Sequence, residues 1–231
     1  MELAKKRKTL LMAFLAFDVL VVVALILLFQ MRAERQSAVE LREIGVTVYP
    51  EARVLSDFRL LDQQGEFFSN ADFQGHWNLV FFGFTNCPDI CPLTMAELAQ
   101  FYAGLDFRED VKPRIFLVTV DPGQDTPESM AAYLANYNEE FIGLSGDPEQ
   151  IEQLADELYV GYGDAVAASV MSASHDEHSG SHAEVELGAG DYLIEHSAHI
   201  AVIDPRGDYY AVMRAPHRDR DLLEAFRQIV R

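Results

Sequence analysis

Two cysteines four residues apart, at the mouth of a buried strand, leave a chain few ways to fold around them. The run Phe84-Thr85-Asn86-Cys87-Pro88-Asp89-Ile90-Cys91-Pro92 holds the only two cysteines of the chain. It follows an apolar stretch, Asn78 to Phe84, and opens a helix-like stretch. A Cys-x-x-x-Cys pair at a strand-to-helix junction suits two chemistries: holding a soft metal, or making and breaking a disulfide. A thiolate at a helix N-terminus is stabilised by unpaired backbone amides and the helix dipole. Cys91 is expected to feel this most, as cap of a helix whose first residue is Pro92. Three intervening residues make a wider loop than Cys-x-x-Cys, so both sulfurs can approach one ion to about 2.3 Å. Zinc usually asks for four ligands, and there is no second cysteine pair; Cu(I) is satisfied by two or three. A purely structural disulfide here would close a tiny loop and stabilise by only about 2 kcal/mol or less.

The rest of the chain predicts alternating strands and helices. Phe58–Leu61, a Gln63-Gln64-Gly65 turn and Glu66–Phe68 read as a hairpin. Trp77–Phe84 and Arg114–Val120 are nearly continuous apolar runs, as expected of strands buried on both faces. A helix is expected from the cysteine motif to about Ala103. Thr126 should cap a helix reaching about Tyr137, and Asp147 one reaching about Tyr159. Between those helices Phe141–Leu144 is a short strand. Residues 161–190 are rich in Gly, Ala, Ser, His and Glu and predict a mobile loop or poor hairpin. Tyr192–Glu195, His199–Ile203 and Tyr209–Met213 are extended, the last two joined by the turn Asp204–Asp208. Asp219–Val230 is amphipathic, with Leu222, Leu223, Phe226 and Ile229 on one face. This order predicts a thioredoxin-like α/β sandwich, with the cysteines at its first strand-to-helix junction.

A third metal ligand would come from the seven histidines. His196 follows a strand and precedes a hairpin, which places it on a loop beside the cysteine junction. His175, His178 and His182 lie close together in the polar segment, and their spacing would align them if it became helical on binding metal.

Lys5, Lys6, Arg7 and Lys8 precede an apolar run from Leu10 to Phe29, interrupted by one charge, Asp18. About 20 apolar residues cross about 30 Å of hydrocarbon as a helix. The basic flank predicts a cytoplasmic N-terminus, with everything after Gln30 exported. Residues 1–31 are thus expected to be a stub and single transmembrane helix, 32–52 a tether, and 53–231 the folded domain. Net charge is −19. Residues 1–35 hold six bases and three acids, which leaves 12 bases against 34 acids, or −22, for the exported part. Nucleic acid is therefore not an expected partner.

Gly83–Pro92, Val120-Asp121-Pro122 with Asp125-Thr126-Pro127-Glu128, Gly143–Pro148, Asp191-Tyr192-Leu193-Ile194-Glu195-His196-Ser197 and Ile203–Gly207 together resemble the SCO/SenC family of copper proteins. The likeness runs from about Asp57 to Arg231. It implies a thioredoxin-like fold, one copper ion held by Cys87, Cys91 and His196, and a redox-active Cys87–Cys91 pair. Asp121 and Asp125 match a supporting loop. It also implies a membrane-anchored chaperone, not an enzyme, that delivers Cu(I) or Cu(II) to the binuclear centre of cytochrome c oxidase subunit II. Other copper carriers or thiol reductases are further expected partners. The expected setting is a bacterial inner membrane with a periplasmic domain, or alternatively the mitochondrial inner membrane. A tethered thiol–disulfide reductase and a non-catalytic interaction module are the competing functions. The long segment with His175, His178 and His182, and His199 where an apolar strand residue is expected, depart from the family pattern and are candidates for a secondary metal site.

Overall fold

The computed structural model describes residues 12, 17–18, 20–26, 28–29, 37–160, 162–164, 194–196 and 198–230. The chain divides into two compact units, Met1–Ile44 and Gly45–Arg231. In the first, residues 20–26 are helical and expose Leu20, Val22, Leu25 and Ile26. Among the described residues no helix is long and apolar enough to cross a membrane. Eight of the twenty residues of the expected span, Leu10 to Phe29, lie outside them.

The second unit is built on strands β1 (Val46–Val54), β2 (Arg59–Asp62), β3 (Phe67–Ser69), β4 (Asn78–Gly83), β5 (Arg114–Thr119), β6 (Ile142–Ser145), β7 (Tyr162–Asp164), β8 (Ile194–His196), β9 (Ile200–Ile203) and β10 (Asp208–Met213). Its helices are α1 (Ile90–Ala103), α2 (Pro127–Leu134), α3 (Pro148–Glu157) and α4 (Asp219–Ile229). Eight strands form one sheet in the order β1-β10-β9-β4-β5-β6-β2-β3, and β7 pairs with β8 separately. The β4, β5 and β6 strands are parallel, whereas β9 and β10 run antiparallel to their neighbours. This mixed sheet with helices against it is the α/β arrangement expected of a thioredoxin-like chain.

The central strands are apolar because both their faces are covered. All six residues of β4 are buried, and Leu79, Phe81 and Leu117 share the face that α1 and α2 cover. A Cβ on Gly143 of β6 would meet Met130 and Leu134 of α2, so the missing side chain lets that helix lie close. On the opposite face Phe116 joins an aromatic cluster with Phe68 and Phe73, centroids 5.2 and 5.3 Å away. Helix α1 buries Cys91, Met95, Leu98 and Tyr102 at three- and four-residue spacing. Phe101 of α1 meets Phe226 of α4 edge-on at 5.6 Å.

The caps follow the chemistry of the sequence. Thr126 Oγ1 accepts from the Ser129 amide at 3.2 Å and Asp147 Oδ1 from the Glu149 amide at 2.9 Å, each with proline at the first helical position. Two boundaries differ from expectation. Residues 46–54, the end of the expected 32–52 tether, form edge strand β1 against β10. An edge strand pairs on one side only, so Pro50 and Glu51 are tolerated in a segment too polar to read as a strand. The α1 helix begins at Ile90, with Asp89 rather than Cys91 at the cap position.

Near the end of α4, Arg227 grips Asp110 with Nε to Oδ1 at 2.8 Å and Nη2 to Oδ2 at 2.6 Å. That guanidinium, chiefly through its hydrogen bonds, pulls the Asp110 carboxyl from 3.8 down to about 2. A depressed acid stabilises fully above its unfolded value and loses that contribution as pH falls through its folded one. Asp110→Asn is therefore expected to lower the urea midpoint at pH 7. The gap to the unsubstituted protein should narrow between pH 4 and pH 2; an equal gap at both ends of that range would show that the pair does not couple folding to protons.

Candidate metal centre

The parallel strands β4 and β5 end side by side, Gly83 opposite Thr119. The cysteine loop leaves β4 there, and the loop holding Asp121 and Asp125 leaves β5. Strand β9 runs antiparallel to β4 with Ile200 opposite Phe81, so the residues just before Ile200 reach the same end of the sheet. Backbone topology thus gathers the cysteine motif, the aspartate loop and the approach from β8 at one edge.

Both cysteines are thiols in the structure rather than a disulfide. Cys91 is 0 % exposed and Cys87 half-buried. A Cβ on Gly83 would sit 2.9 Å from Cys91 Sγ, so the glycine makes room for the sulfur. The turn into α1 is closed by the Cys87 amide donating to the Phe84 carbonyl at 3.2 Å. Asp89 makes no side-chain cap; instead the Cys91 amide lies 3.4 Å from Cys87 Sγ, within reach of a weak hydrogen bond. The sulfur facing the open amides of the helix is therefore that of Cys87, and the expectation for Cys91 is reversed. Burial pushes the Cys91 thiol well above its ordinary value, helped by its hydrogen bond with Cys87 and by the charge of Asp125; a backbone hydrogen bond with Phe84 acts the other way. Loss of water is the largest of these effects.

Asp125 is 1 % exposed and ties the two loops together. Its carboxylate accepts from the Thr85 amide at 3.2 and 3.1 Å, from Thr119 Oγ1 at 2.6 Å, and from the Thr85 hydroxyl. Thr119 Oγ1 in turn accepts from the Asp121 amide at 2.9 Å. Asp125 thus fixes the chain two residues before Cys87. Asp121 is partly desolvated, which raises its pKa, and the Asp125 charge adds to this.

His196 is the last residue of β8, its backbone paired with Tyr162, rather than a loop residue. That pairing joins β7 to β8. His175, His178 and His182 lie outside the described residues. His199 sits half-buried at the entry to β9; its Nε2 is buried with no hydrogen-bond partner among the described residues. Burial lowers its pKa, opposed by a hydrogen bond with the backbone of Leu158. Among the described residues no three His, Cys, Asp or Glu side chains are grouped as a metal site.

Three neighbours of this edge were not singled out in the sequence. Thr85 and Thr119 serve Asp125, and Thr119 stands out only as a polar residue closing an apolar strand. Tyr133 on α2 accepts from the Tyr137 hydroxyl at 3.4 Å. Its phenol is pushed up first by burial, then by Tyr137 and by the fields of Cys91 and Cys87.

A family model described as SCO1/SenC matches residues 46–231. A protein of Stutzerimonas stutzeri named "Putative copper-binding protein" is 32% identical over 190 residues, covering 82% of this chain and 83% of that one. The mitochondrial SCO2 homolog of Bos taurus is 34% identical over 183 residues, 76% of this chain and 62% of that protein. Among solved structures, Bradyrhizobium japonicum ScoI with copper bound superposes with a TM-score of 0.59 at 26% identity, covering 76% of this chain and 98% of that one. A match running from the first residue of β1 to the end of the chain, over the strand-to-helix junction that carries both thiols, places this protein in the SCO1/SenC family.

Proposed function

We propose that this chain is a membrane-anchored copper chaperone that binds one copper ion through Cys87, Cys91 and His196. It would deliver that ion to the binuclear copper centre of cytochrome c oxidase subunit II. The observation that carries the reading is the convergence of the two thiols and the β8–β9 connection at one end of the central sheet. Two sulfurs and an imidazole form a soft donor set suited to copper. Family membership and the copper-bound ScoI relative support the same cargo. A buried Cys91 keeps its proton until a cation replaces it, which suits metal capture. The apolar run Leu10–Phe29 would anchor the chain, with the basic residues 5–8 in the cytoplasm and the folded unit in the periplasm.

His196 should matter more for Cu(II) than for Cu(I). Two thiolates can hold Cu(I) in a line, whereas Cu(II) asks for more ligands and favours imidazole. His196→Ala in the full-length protein is expected to weaken Cu(II) at least about 100-fold, beyond the loss of an outer partner, and to leave Cu(I) within a few-fold. An unchanged thiolate-to-Cu(II) absorption band in that variant would remove His196 from the ligand set. The delivery role is tested in cells: loss of the protein should lower terminal oxidase activity under scarce copper, and added copper should partly restore it.

A further inference from the structure

Residues 217–219 join two parts of the proposed copper site that lie far apart in the chain. His217 Nε2 is 2.7 Å from the carbonyl oxygen of Ala198, two residues beyond His196. A carbonyl only accepts, so Nε2 carries the proton and donates. Two residues after His217, the amide of Asp219 donates to Glu97 Oε2 at 2.6 Å. Arg218 makes no side-chain cap for α4, so the Glu97 carboxylate serves that helix start from another helix. Glu97 lies on α1, the helix that carries Cys91. The same short segment is thus bonded at one end to the approach to β9 and at the other to the cysteine helix. Strand β10 lies antiparallel to β9 with Met213 opposite Ile200, which brings residues 214–217 to this edge of the sheet. His217 is half-buried, as are Ala198 and His199.

We propose that His217 is a positioning residue: by holding the Ala198 carbonyl it sets where β8 delivers His196 relative to the two cysteines. The inference rests on the reading of His196 as a copper ligand. An imidazole ligand must be held to within about 0.5 Å of its productive place. A bond two residues away that also communicates with α1 limits the separation between the third ligand and the thiol pair. Cu(I) held by two thiolates does not need that separation to be set, and Cu(II) does.

The test uses the full-length protein in detergent, with Cu(I) and Cu(II) titrated separately against competing chelators. His217→Ala is expected to weaken Cu(II) by about 10–100-fold, the usual cost of losing an outer partner. It should shift the thiolate-to-Cu(II) band and leave Cu(I) affinity within a few-fold. His217→Gln, which keeps an N–H at similar reach, should recover most of the Cu(II) affinity. Equal losses for Cu(I) and Cu(II) in His217→Ala, tracking a lower melting temperature, would show that the residue only supports the fold. Unchanged Cu(II) binding in His217→Ala, beside a clear loss in His196→Ala, would overturn the inference and leave the ligand set standing. If His196→Ala itself leaves Cu(II) binding unchanged, the ligand set fails and this inference fails with it.

Discussion

Serine at Cys87 or Cys91 in the full-length protein should abolish tight Cu(I) binding, with affinity falling at least about 100-fold, more than an outer partner usually costs. The reason is the donor atom rather than the fold. A hydroxyl oxygen is a hard, weakly acidic ligand, and Cu(I) selects soft thiolates. At position 87 a serine oxygen can still accept from the Cys91 amide, which now lies 3.4 Å from the sulfur. At position 91 the side chain is enclosed against Gly83, and serine is no larger than cysteine. Both variants should therefore fold, and far-ultraviolet circular dichroism should overlay with that of the unsubstituted protein. Titration of the reduced protein with Cu(I) should give one tight site per chain, absent from each variant. A serine variant that kept that site would exclude the thiolates as ligands.

Asp125→Ala should cost about 3 kcal/mol of stability. It strands the Thr119 hydroxyl and the Thr85 amide, and each buried polar group left without a partner costs roughly 1–3 kcal/mol. The Thr119 hydroxyl has no easy way out, because its oxygen already accepts from the Asp121 amide. With an m-value of about 2 kcal/mol per molar, the urea midpoint should drop by roughly 1.5 M. Asp125→Asn should be milder, since one oxygen still accepts, but its amide nitrogen must face a donor. A second readout separates electrostatics from packing. The Asp125 charge contributes to the raised pKa of Asp121, so Asp121 should titrate closer to its ordinary value in either variant. An Asp125→Ala protein that unfolds with the unsubstituted midpoint would mean the two loops hold their places without this carboxylate.

Local chemistry made much of the fold legible. Nearly continuous apolar runs marked β4 and β5 because strands covered on both faces leave few polar positions. Thr126 and Asp147, each followed by proline, marked two helix starts because capping is a bond within four residues. The C-terminal helix was legible from the apolar stripe through Leu222, Phe226 and Ile229. Strand β1 was not, since it is held by backbone bonds to β10, some 160 residues away, and Pro50 and Glu51 interrupt its pattern.

The candidate site divides the same way. The sequence by itself determined the kind of chemistry available: two thiols at a strand-to-helix junction, with histidine and aspartate further along, in a pattern resembling one copper-protein family. One expectation there, that Cys91 would feel the stabilising helix N-terminus most, came from weighing the helix dipole without the burial that opposes it. Solvent exposure is set by everything packed around a group, so no window of sequence contains it. For the same reason Thr85 and Thr119 became partners of Asp125, and His217 became a neighbour of Ala198, only when β4, β5, β9 and β10 were laid side by side. Residue identity determines which bonds are possible; the order of strands in the sheet decides which of them are made.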